Sequence, residues 1–239
     1  MIKRIAHITD LHLDEPFTKK QGISARNRLK TVLQHISSLN INEIICTGDI
    51  GERTSLDFFF KECNHFNLSV TLVNHDSELE TATYIKSKLF NSSKLYYSHE
   101  DDFYKYIYLD SSLGIIDKQQ LAWLEKELKT NKHVLISLHH PIIGLNLKVD
   151  EIGALKNRKA ILDLLQKHSN SITVFCGHYH LSSTIIDKNV TQYISPAVSY
   201  QIKKQTDKIG IDANTYGYRL IYITHNNITT QTQLFHESN

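Results

Sequence analysis

Short runs of β-branched residues alternate with longer amphipathic stretches along the N-terminal part of the chain, and this alternation constrains the fold more than any other feature. Residues 5–9, 43–47 and 69–73 are short, rich in Ile and Val, and followed by polar or glycine positions, which is typical of buried strands. Residues 24–39 and 56–66 place apolar side chains at helical spacing between them. The sequence therefore predicts a βαβαβ unit and an α/β fold class.

The alternation continues through the middle of the chain. Asp117 is typical of a helix N-cap, because Gln120 follows three residues later. Tyr104, Tyr106 and Tyr108 occupy alternate positions, which predicts that they line one face of a strand. The other elements predicted in this region are helices over 78–90 and 156–168 and strands over 94–97, 103–110, 133–138 and 171–176.

The pattern changes at about Ser182, after which strands follow one another with almost no helical material. An α/β first half joined to a strand-rich second half predicts a four-layer αββα sandwich, in which two mixed β-sheets pack together and helices flank them. We expect a single domain over residues 1–239. The predicted late strands cover 184–186, 190–194, 218–224 and 228–234, with Asn226-Asn227 as a hairpin turn between the last two.

Charge and cysteine content exclude several classes of function. The 239 residues include 27 Lys and Arg against 25 Asp and Glu, which is too balanced for non-specific nucleic-acid binding, so no nucleic-acid partner is expected. Cys46, Cys63 and Cys176 form no CxxC pair, which argues against disulfides or a zinc finger and favours a cytoplasmic location. Neither a signal-like segment nor an apolar run of about 20 residues is visible, so no membrane association is expected.

Metal-binding residue types follow five of the predicted strands, at the edge where ligands gather in open α/β sheets. Each fragment alone has a structural explanation: Asp10 can cap a turn, and Gly48-Asp49 can simply form one. The five together favour a metal site, and two histidines after Gly177 can point at one ion. The fragments are Asp10 and His12, Asp49, Asn74 to Asp76, His139-His140, and His178 and His180.

The types of ligand indicate which ions and which chemistry to expect. Carboxylate, amide and imidazole groups without a nearby thiolate suit Mn, Fe, Zn or Mg. These fragments offer at least seven candidate ligands, which are too many for one ion and fit two divalent ions that share a carboxylate. Two-metal sites with ions about 3.5–4 Å apart are a recurrent solution for in-line displacement at phosphorus. The sequence therefore predicts hydrolysis of a small-molecule phosphate ester.

These five blocks resemble the D-x-H, G-D, G-N-H-[DE], H and G-H-x-H pattern of the calcineurin-like metallophosphoesterase superfamily. Further segments are similar to the class III cyclic-nucleotide phosphodiesterases, the Icc or CpdA group, which includes relatives that cleave glycerophosphodiesters. The resemblance covers nearly the whole chain. The segments that carry the closer similarity are residues 109–112, 120–124, 139–141, 149–150, 155–157, 176–180, 195–197 and 217–219.

The resemblance implies a role for each of the motif residues. The implied ligands are Asp10, His12 and His180 for the first metal ion, Asn74, His139 and His178 for the second, and the bridging Asp49 for both. A hydroxide between the ions would attack phosphorus in line. His75 would stabilise or protonate the departing oxygen, and Asp76 would orient His75. His140 and Asn157 are the candidates for contact with the substrate.

The resemblance favours 3′,5′-cyclic nucleotides as substrates, with cAMP first among them. Other small phosphodiesters or phosphomonoesters, glycerophosphodiesters included, are the alternative with the same chemistry. A catalytically weak metal-binding scaffold is a third interpretation. A DNA nuclease is disfavoured because no Lys/Arg-rich stripe is present, and a protein phosphatase is disfavoured because the loops resemble those of the small-substrate group.

The chain departs from the family pattern in places. Val73 replaces the usual glycine before Asn74, and Ile142 replaces a second proline after Pro141. A long C-terminal extension is missing, so a homodimer remains open as a partner but would not form through such an extension. Tyr179, Tyr200 and Tyr216 have equal claims to contact the substrate, and the sequence does not rank them.

Overall fold

The computed structural model describes residues 2–71, 96–205, 207–225 and 227–237. These residues form thirteen strands. The strands are β1 (Lys3–Ile8), β2 (Glu43–Cys46), β3 (Asn67–Val70), β4 (Tyr97–Glu100), β5 (Tyr104–Tyr108), β6 (His133–Ser137), β7 (Ile172–Cys176), β8 (Ser183–Asp187), β9 (Val190–Ile194), β10 (Gln201–Ile202), β11 (Ile211–Asp212), β12 (Thr215–Ile223) and β13 (Ile228–His236).

Six α-helices occur in the same part of the chain. They are α1 (Pro16–Lys20), α2 (Ala25–Ser38), α3 (Leu56–Glu62), α4 (Lys118–Glu127), α5 (Lys148–Gly153) and α6 (Arg158–Leu165). The predicted cap of α4 is confirmed, since the Asp117 side chain accepts a hydrogen bond of 2.7 Å from the Gln120 backbone N–H.

Two mixed sheets form the centre of the fold. The first has the order β13-β12-β1-β2-β3, in which β1, β2 and β3 are parallel and β12 and β13 are antiparallel to their neighbours. The second has the order β4-β5-β6-β7-β9-β8, in which β5, β6, β7 and β9 are parallel. β10 and β11 form a separate antiparallel pair.

Three hydrophobic clusters separate four layers. Leu29, Val32 and Ile36 of α2 pack with Phe59 of α3 on the outer face of the first sheet. Leu124 of α4 and Ile161 and Leu165 of α6 cover the outer face of the second sheet. The two inner faces meet in a third cluster, which contains Ile5, Ile45, Tyr104, Tyr106, Tyr108, Leu135, Phe175, Ile221 and Ile223. The predicted four-layer αββα arrangement is thus confirmed, and so is the common face of the three tyrosines.

The element boundaries differ from the predicted ones in a few places. α3 ends at Glu62 instead of continuing to Phe66, and β3 begins at Asn67. α6 begins at Arg158 because Lys156 and Asn157 are bonded to the loop after β5, through Gly114 and Ile116. The helix predicted over 78–90 and Asn226 of the predicted hairpin turn lie outside the described residues.

Two further expectations concern membrane-spanning segments and disulfide bonds. None of the helices in the described segments combines the length and the apolar character that crossing a bilayer requires. Cys46, Cys63 and Cys176 are all buried free thiols.

Candidate metal centre

The loops at the carboxyl ends of β1, β2, β6 and β7 converge and bring six predicted ligands together. They form two groups, and within each group one candidate ligand atom from every residue lies within 4.8 Å of the others. We call Asp10, His12 and His180 the first group, and Asp49, His139 and His178 the second group. The first sheet supplies the two carboxylates and His12, whereas the second sheet supplies the other three histidines.

The loops after β1 and β2 are held together by their backbones. The Asp10 N–H donates to the Gly48 carbonyl at 3.1 Å, and the His12 N–H donates to the Asp49 carbonyl at 2.9 Å. Leu13 and Gly51 then form a parallel bridge. Because the polar backbone groups of these loops bond to one another, their side chains remain available to the site.

Five of the six residues adopt a left-handed backbone conformation. Their φ angles are 53° at Asp10, 46° at His12, 48° at Asp49, 71° at His178 and 47° at His180. Residues other than glycine rarely occupy this region, and Asp, Asn and His are the types most often found there. Such clusters of unfavourable backbone occur at functional sites.

The close approach of the loops after β1 and β7 requires glycine at position 177. A Cβ atom there would lie 2.0 Å from Thr9 Oγ1 and 2.5 Å from Asp10 Oδ2. The next residue, His178, donates its backbone N–H to the Asp10 carboxylate at 3.0 Å. Gly177 therefore allows the loop after β7 of the second sheet to approach Asp10, which follows β1 of the first sheet, and to fix the orientation of its carboxylate.

The spacing of the two histidines in Gly177-His178-Tyr179-His180 suggested that both point at one ion, but they belong to different groups. His178 lies in the second group and His180 lies in the first. The left-handed φ angles at both positions turn the backbone, so that the two side chains diverge.

In the first group, each imidazole has one nitrogen bonded away from the site. His180 Nδ1 lies 3.0 Å from the Tyr200 carbonyl oxygen, and His12 Nδ1 lies 2.9 Å from the Glu15 carboxylate. Since each acceptor requires a proton on Nδ1, the Nε2 atoms are the ones that face the site. These two Nε2 atoms are only 3.0 Å apart.

The second group repeats this arrangement with different acceptors. His139 Nδ1 donates to the Thr47 carbonyl at 2.9 Å, and His178 Nε2 donates to the Gly153 carbonyl at 2.9 Å. The remaining nitrogens, His139 Nε2 and His178 Nδ1, face each other at 2.9 Å.

Two imidazole nitrogens that face each other at such distances both present lone pairs, which repel unless a cation or a proton lies between them. Histidines that bind metals donate their other ring N–H to a carbonyl or carboxylate, as all four do here. Two carboxylates and four imidazoles form a donor set for borderline divalent ions. The residues present therefore fit two divalent ions.

Asp49 lies between the two groups. Its Oδ2 atom is 3.6 Å from His12 Nε2 in the first group and 3.4 Å from His139 Nε2 in the second. Asp10 Oδ1 is 3.4 Å from His180 Nε2 and 3.8 Å from His139 Nε2. Both carboxylates are thus within 4 Å of imidazole nitrogens from both groups, and the assignment of Asp49 as the bridging ligand rests on the resemblance.

Burial and neighbouring charges shift the pKa values of the histidines in opposite directions. Burial and the neighbouring histidines hold the pKa of His139 and of His180 well below the ordinary value. Burial also opposes protonation of His12, but the hydrogen bond to Glu15 and the charges of Asp49, Glu15 and Asp10 raise its pKa to about 9. In the metal-free protein, a proton on His12 Nε2 therefore lies between this nitrogen and His180 Nε2, and it relieves the repulsion of their lone pairs.

The other predicted site residues have different outcomes. Asn74, His75 and Asp76, together with Val73, lie outside the described residues. His140 is buried, with Nδ1 2.9 Å from Ser111 Oγ and its ring centroid 4.3 Å from that of His178. Its place beside the second group is compatible with contact to a substrate, which stays a prediction.

Asn157 bonds to the backbone of Ile116 through both ends of its side-chain amide. Its amide oxygen accepts from the Ile116 N–H at 3.1 Å, and its amide nitrogen donates to the Ile116 carbonyl at 2.7 Å. The amide therefore joins the start of α6 to the loop after β5. Its predicted contact with the substrate stays a prediction.

The three tyrosines that the sequence left equal differ in burial and in position. Tyr179 is fully buried, and Tyr216 packs on Phe235 at a centroid distance of 5.2 Å. The ring centroid of Tyr179 lies 5.3 Å from that of His178. Of the three tyrosines only Tyr200 is partly exposed, and its ring centroid lies 4.3 Å from that of His180 and 5.8 Å from that of His12. Phe17, which is 40% exposed, lies 5.3 Å from Tyr200 and extends this aromatic surface.

Sequence reasoning missed the groups that orient the histidines. Glu15 follows His12 by three residues, and a carboxylate at that spacing in a loop is the one usable signal. Thr47, Gly153 and Tyr200 act through their backbone carbonyls. Because every residue has a carbonyl, no side-chain pattern identifies these three.

Comparisons with known proteins agree with this geometry. The sequence model of the calcineurin-like phosphoesterase family matches residues 3–182. A protein of Fibrobacter succinogenes named as a probable cyclic nucleotide phosphodiesterase is 28% identical over 92% of this chain and 89% of its own length. A 3′,5′-cyclic-nucleotide phosphodiesterase of Nostoc is 25% identical over 91% of this chain and 86% of its own length.

One further relative and one solved structure complete the comparison. A protein of Arcobacter nitrofigilis named as a probable glycerophosphodiester phosphodiesterase is 25% identical over 83% of this chain and 79% of its own length. The crystal structure of a dimetal phosphatase from Danio rerio has a TM-score of 0.68 at 14% identity, covering 96% of this chain and 98% of its own. At that identity, the likeness shows a common fold.

Proposed function

The chain belongs to the calcineurin-like phosphoesterase family of metal-dependent phosphoric ester hydrolases, and we propose that it hydrolyses phosphodiesters, 3′,5′-cyclic nucleotides and cAMP in particular. The observation that carries the proposal is the pair of facing imidazole nitrogens in each group, 3.0 Å and 2.9 Å apart, with Asp49 between the groups. Such an arrangement suits two adjacent divalent ions, and two adjacent ions suit displacement at phosphorus.

We assign the ligands as the resemblance to the family implies. Asp10, His12 and His180 would hold the first ion, His139 and His178 would hold the second together with Asn74, and Asp49 would serve both. Mn, Fe, Zn and Mg are the candidate ions, because the donor set contains carboxylates and imidazoles and no thiolate. When bound, such ions supply the positive charge that neutralises the phosphoryl oxygens and activates water.

The residues of the chain have distinct tasks in this proposal. Glu15 and the carbonyls of Thr47, Gly153 and Tyr200 fix the four histidine rings, so that the donor atoms are oriented before substrate binds. His75 would stabilise or protonate the departing oxygen, and Asp76 would orient His75.

The choice of substrate rests on two supports. Relatives over nearly the full chain are named for cyclic nucleotides, and the aromatic surface of Tyr200 and Phe17 beside the first group offers a planar base a partner for stacking. The second candidate is a glycerophosphodiester, which the name of the Arcobacter relative favours. A glycerol moiety would gain little from an aromatic surface.

The test measures hydrolysis by metal-stripped protein that has been resupplied singly with Mn, Fe, Zn or Mg. Bis(p-nitrophenyl) phosphate, p-nitrophenyl phosphate, 3′,5′-cAMP and glycerophosphocholine are compared as substrates. We expect diester turnover that includes cAMP and is lost in the Asp49→Ala variant. The exposed Asp163→Ala variant is the matched control, because it also removes one carboxylate.

Each other outcome has a definite meaning. Turnover of glycerophosphocholine without cAMP would replace the substrate and keep the mechanism. If the KM for cAMP is the same in Phe17→Ala as in the unaltered chain, the aromatic surface does not contribute to binding of the base. No turnover with any ion would leave the metal-binding scaffold as the function.

We also propose that the chain is one domain over residues 1–239, acts in the cytoplasm and has no nucleic-acid partner. The three free buried thiols and the balanced net charge of +2 support the last two statements. Light scattering of the purified chain distinguishes a monomer from a homodimer.

A further inference from the structure

The segment that follows His139-His140-Pro141 lies against the second group. Its helix, α5, ends at Gly153, and the Gly153 carbonyl accepts the 2.9 Å hydrogen bond from His178 Nε2. A Cβ atom at position 153 would lie 2.6 Å from His178 Nε2. The orientation of His178 therefore depends on where the C-terminal end of α5 is held.

A buried carboxylate on α5 ties this helix to the loop after β7. Asp150 Oδ1 accepts hydrogen bonds from the Tyr179 hydroxyl and from Nη1 of Arg158. Asp150 is 5% exposed and Tyr179 is fully buried. We call Asp150, Arg158 and Tyr179 the clamp.

The clamp and the Gly153 contact reach the same short peptide from two directions. Tyr179 lies between His178 and His180 in the chain, and Gly153 lies three residues after Asp150. The clamp thus fixes the position of the Tyr179 backbone relative to α5. That position determines how the Gly153 carbonyl, at the end of α5, meets the ring of His178. Arg158 adds the first turn of α6 to the same unit.

We propose that Asp150, Arg158 and Tyr179 are positioning residues for the second ion, which they serve by holding the Gly153 carbonyl on His178 Nε2 so that His178 Nδ1 faces His139 Nε2. The inference rests on the ligands assigned under the proposed function. If the carbonyl moved away, the ring would be free to rotate or to exchange its tautomer, and the second site would lose an oriented donor. In the first group the histidine rings are held by other acceptors, the Tyr200 carbonyl and the Glu15 carboxylate, so the clamp does not set their orientation.

The purely structural alternative is that the clamp only stabilises the fold. A buried carboxylate with two donors contributes to stability in any case, so a loss of stability does not distinguish the two. Selective weakening of one of two metal sites does, because a general loss of stability would not favour one site over the other.

The test titrates Mn²⁺ into the metal-free protein and follows the two binding steps by calorimetry and by electron paramagnetic resonance, which separates single ions from exchange-coupled pairs. The variants are Tyr179→Phe, Asp150→Asn and Arg158→Lys, with Gly153→Ala as a direct perturbation of the carbonyl contact. Tyr218→Phe is the matched control, since it removes another buried tyrosine hydroxyl, which lies 2.8 Å from His35 Nδ1.

We expect one step to weaken by about 10- to 100-fold in Tyr179→Phe and Asp150→Asn, as is usual when the partner of a ligating histidine is lost. The other step and the Tyr218→Phe control should match the unaltered chain, and Arg158→Lys, which keeps a cation, should be milder. The coupled-pair signal should fall while the single-ion signal persists.

Two results would overturn the proposal. One is two steps of unchanged affinity in both Tyr179→Phe and Asp150→Asn, and the other is equal weakening of both steps. If the unaltered chain itself binds fewer than two ions, the proposed metal centre fails instead, independently of the clamp. Variants that do not fold are identified by circular dichroism, and Gly153→Ala then carries the test.

Discussion

At the scale of single residues, the site uses conformations that most side chains avoid. Left-handed backbone costs a residue with a Cβ atom about 1–2 kcal/mol, and five of the six candidate ligands adopt it. Hydrogen bonds between the loops after β1 and β2 offset this cost at Asp10, His12 and Asp49, and bonds of the loop after β7 to Asp10 and to Ile202 do so at His178 and His180. The arrangement places functional side chains where a glycine would be the more stable choice.

A comparison of Gly and Ala at two ligand positions tests this view. We expect the His178→Gly variant of the metal-free chain to be about 1 kcal/mol more stable than His178→Ala, because φ is 71° at this position. At His139, which is not among the residues with positive φ, the order should reverse, with Ala better by about 0.4–1 kcal/mol. Urea unfolding of the four variants measures both differences. Within each pair both variants lack the imidazole, so the effect of its loss on stability cancels. The same order at both positions would contradict the argument.

His7 leads to a prediction about pH. It is fully buried between the sheets, with Nδ1 2.6 Å from Ser195 Oγ and Nε2 2.8 Å from Thr47 Oγ1. Burial, and to a lesser degree Arg219, lower its pKa from 6.5 to about 3. Since the unfolded chain binds the proton first, stability is full above pH 6.5 and is lost as the pH falls toward 3, by at most about 1.4 kcal/mol per pH unit.

Urea unfolding at a series of pH values checks this prediction. The slope of the unfolding free energy against pH between 6.5 and about 4 should be shallower in His7→Asn than in the unaltered chain, by up to one proton. A variant of the exposed His225 should keep the slope of the unaltered chain. Identical slopes in all three proteins would show that His7 does not take up a proton on unfolding.

At the scale of elements, the alternating pattern predicted the strands that position the site and missed the short elements around it. β1, β2, β6 and β7 are short apolar runs that end at polar residues, and these were predictable from sequence. α1 and α5 have five and six residues, which is too short for an apolar periodicity to appear. β12 was predicted from 218 but begins at Thr215, because Gly217 interrupts the pattern while its backbone still pairs with Leu234.

The candidate ligands were predictable for a related reason. A strand end is a local feature, and the types of residue that follow it are visible in the sequence. The partners that orient the ligands come from distant segments, as Gly153 does for His178. Which segments approach one another depends on the packing of whole elements, and no local pattern records it.

Gly177 allows a test of one such approach between elements. In Gly177→Ala, the new Cβ would lie 2.0 Å from Thr9 Oγ1, so the loops after β1 and β7 must separate. We expect a loss of about 1–3 kcal/mol in stability, typical of overpacking, and weaker binding of Mn²⁺ to the first group. Adding Thr9→Ala should recover part of the stability, which a double-mutant cycle of urea unfolding measures. Strictly additive effects would mean that the two side chains do not collide.

At the scale of the whole molecule, the site exists only because two sheets pack at a fixed angle and offset. Asp10, His12 and Asp49 come from the first sheet, and His139, His178 and His180 come from the second. The sequence predicted two sheets and helices outside them, but the offset between the sheets is set by the side chains that meet in the third cluster. A shift of this interface would separate the carboxylates from the histidines.

Arg219 is one of the polar residues that connect the two sheets next to this interface. It belongs to β12 of the first sheet, is 3% exposed, and donates to Ser195 Oγ, Ser182 Oγ and the Ile194 carbonyl, which adjoin β8 and β9 of the second sheet. Burial lowers its pKa to about 10, so the guanidinium stays charged at neutral pH. Its partners are hydroxyls and a carbonyl, which lose a charged donor if the guanidinium is removed.

Replacing Arg219 should therefore affect both stability and the site. In Arg219→Met, which keeps much of the volume, we expect the unfolding free energy to fall by about 2–4 kcal/mol, because several hydrogen bonds from a charged donor are lost at about 1.5–3 kcal/mol each while Ser195 and Ser182 keep their other partners. Arg219→Lys should fall less, since one donor remains. Urea unfolding gives the stability, and Mn²⁺ titration of the folded fraction reports whether the groups still meet. If Arg219→Met is as stable as the unaltered chain and binds two ions, apolar packing alone fixes the offset of the sheets.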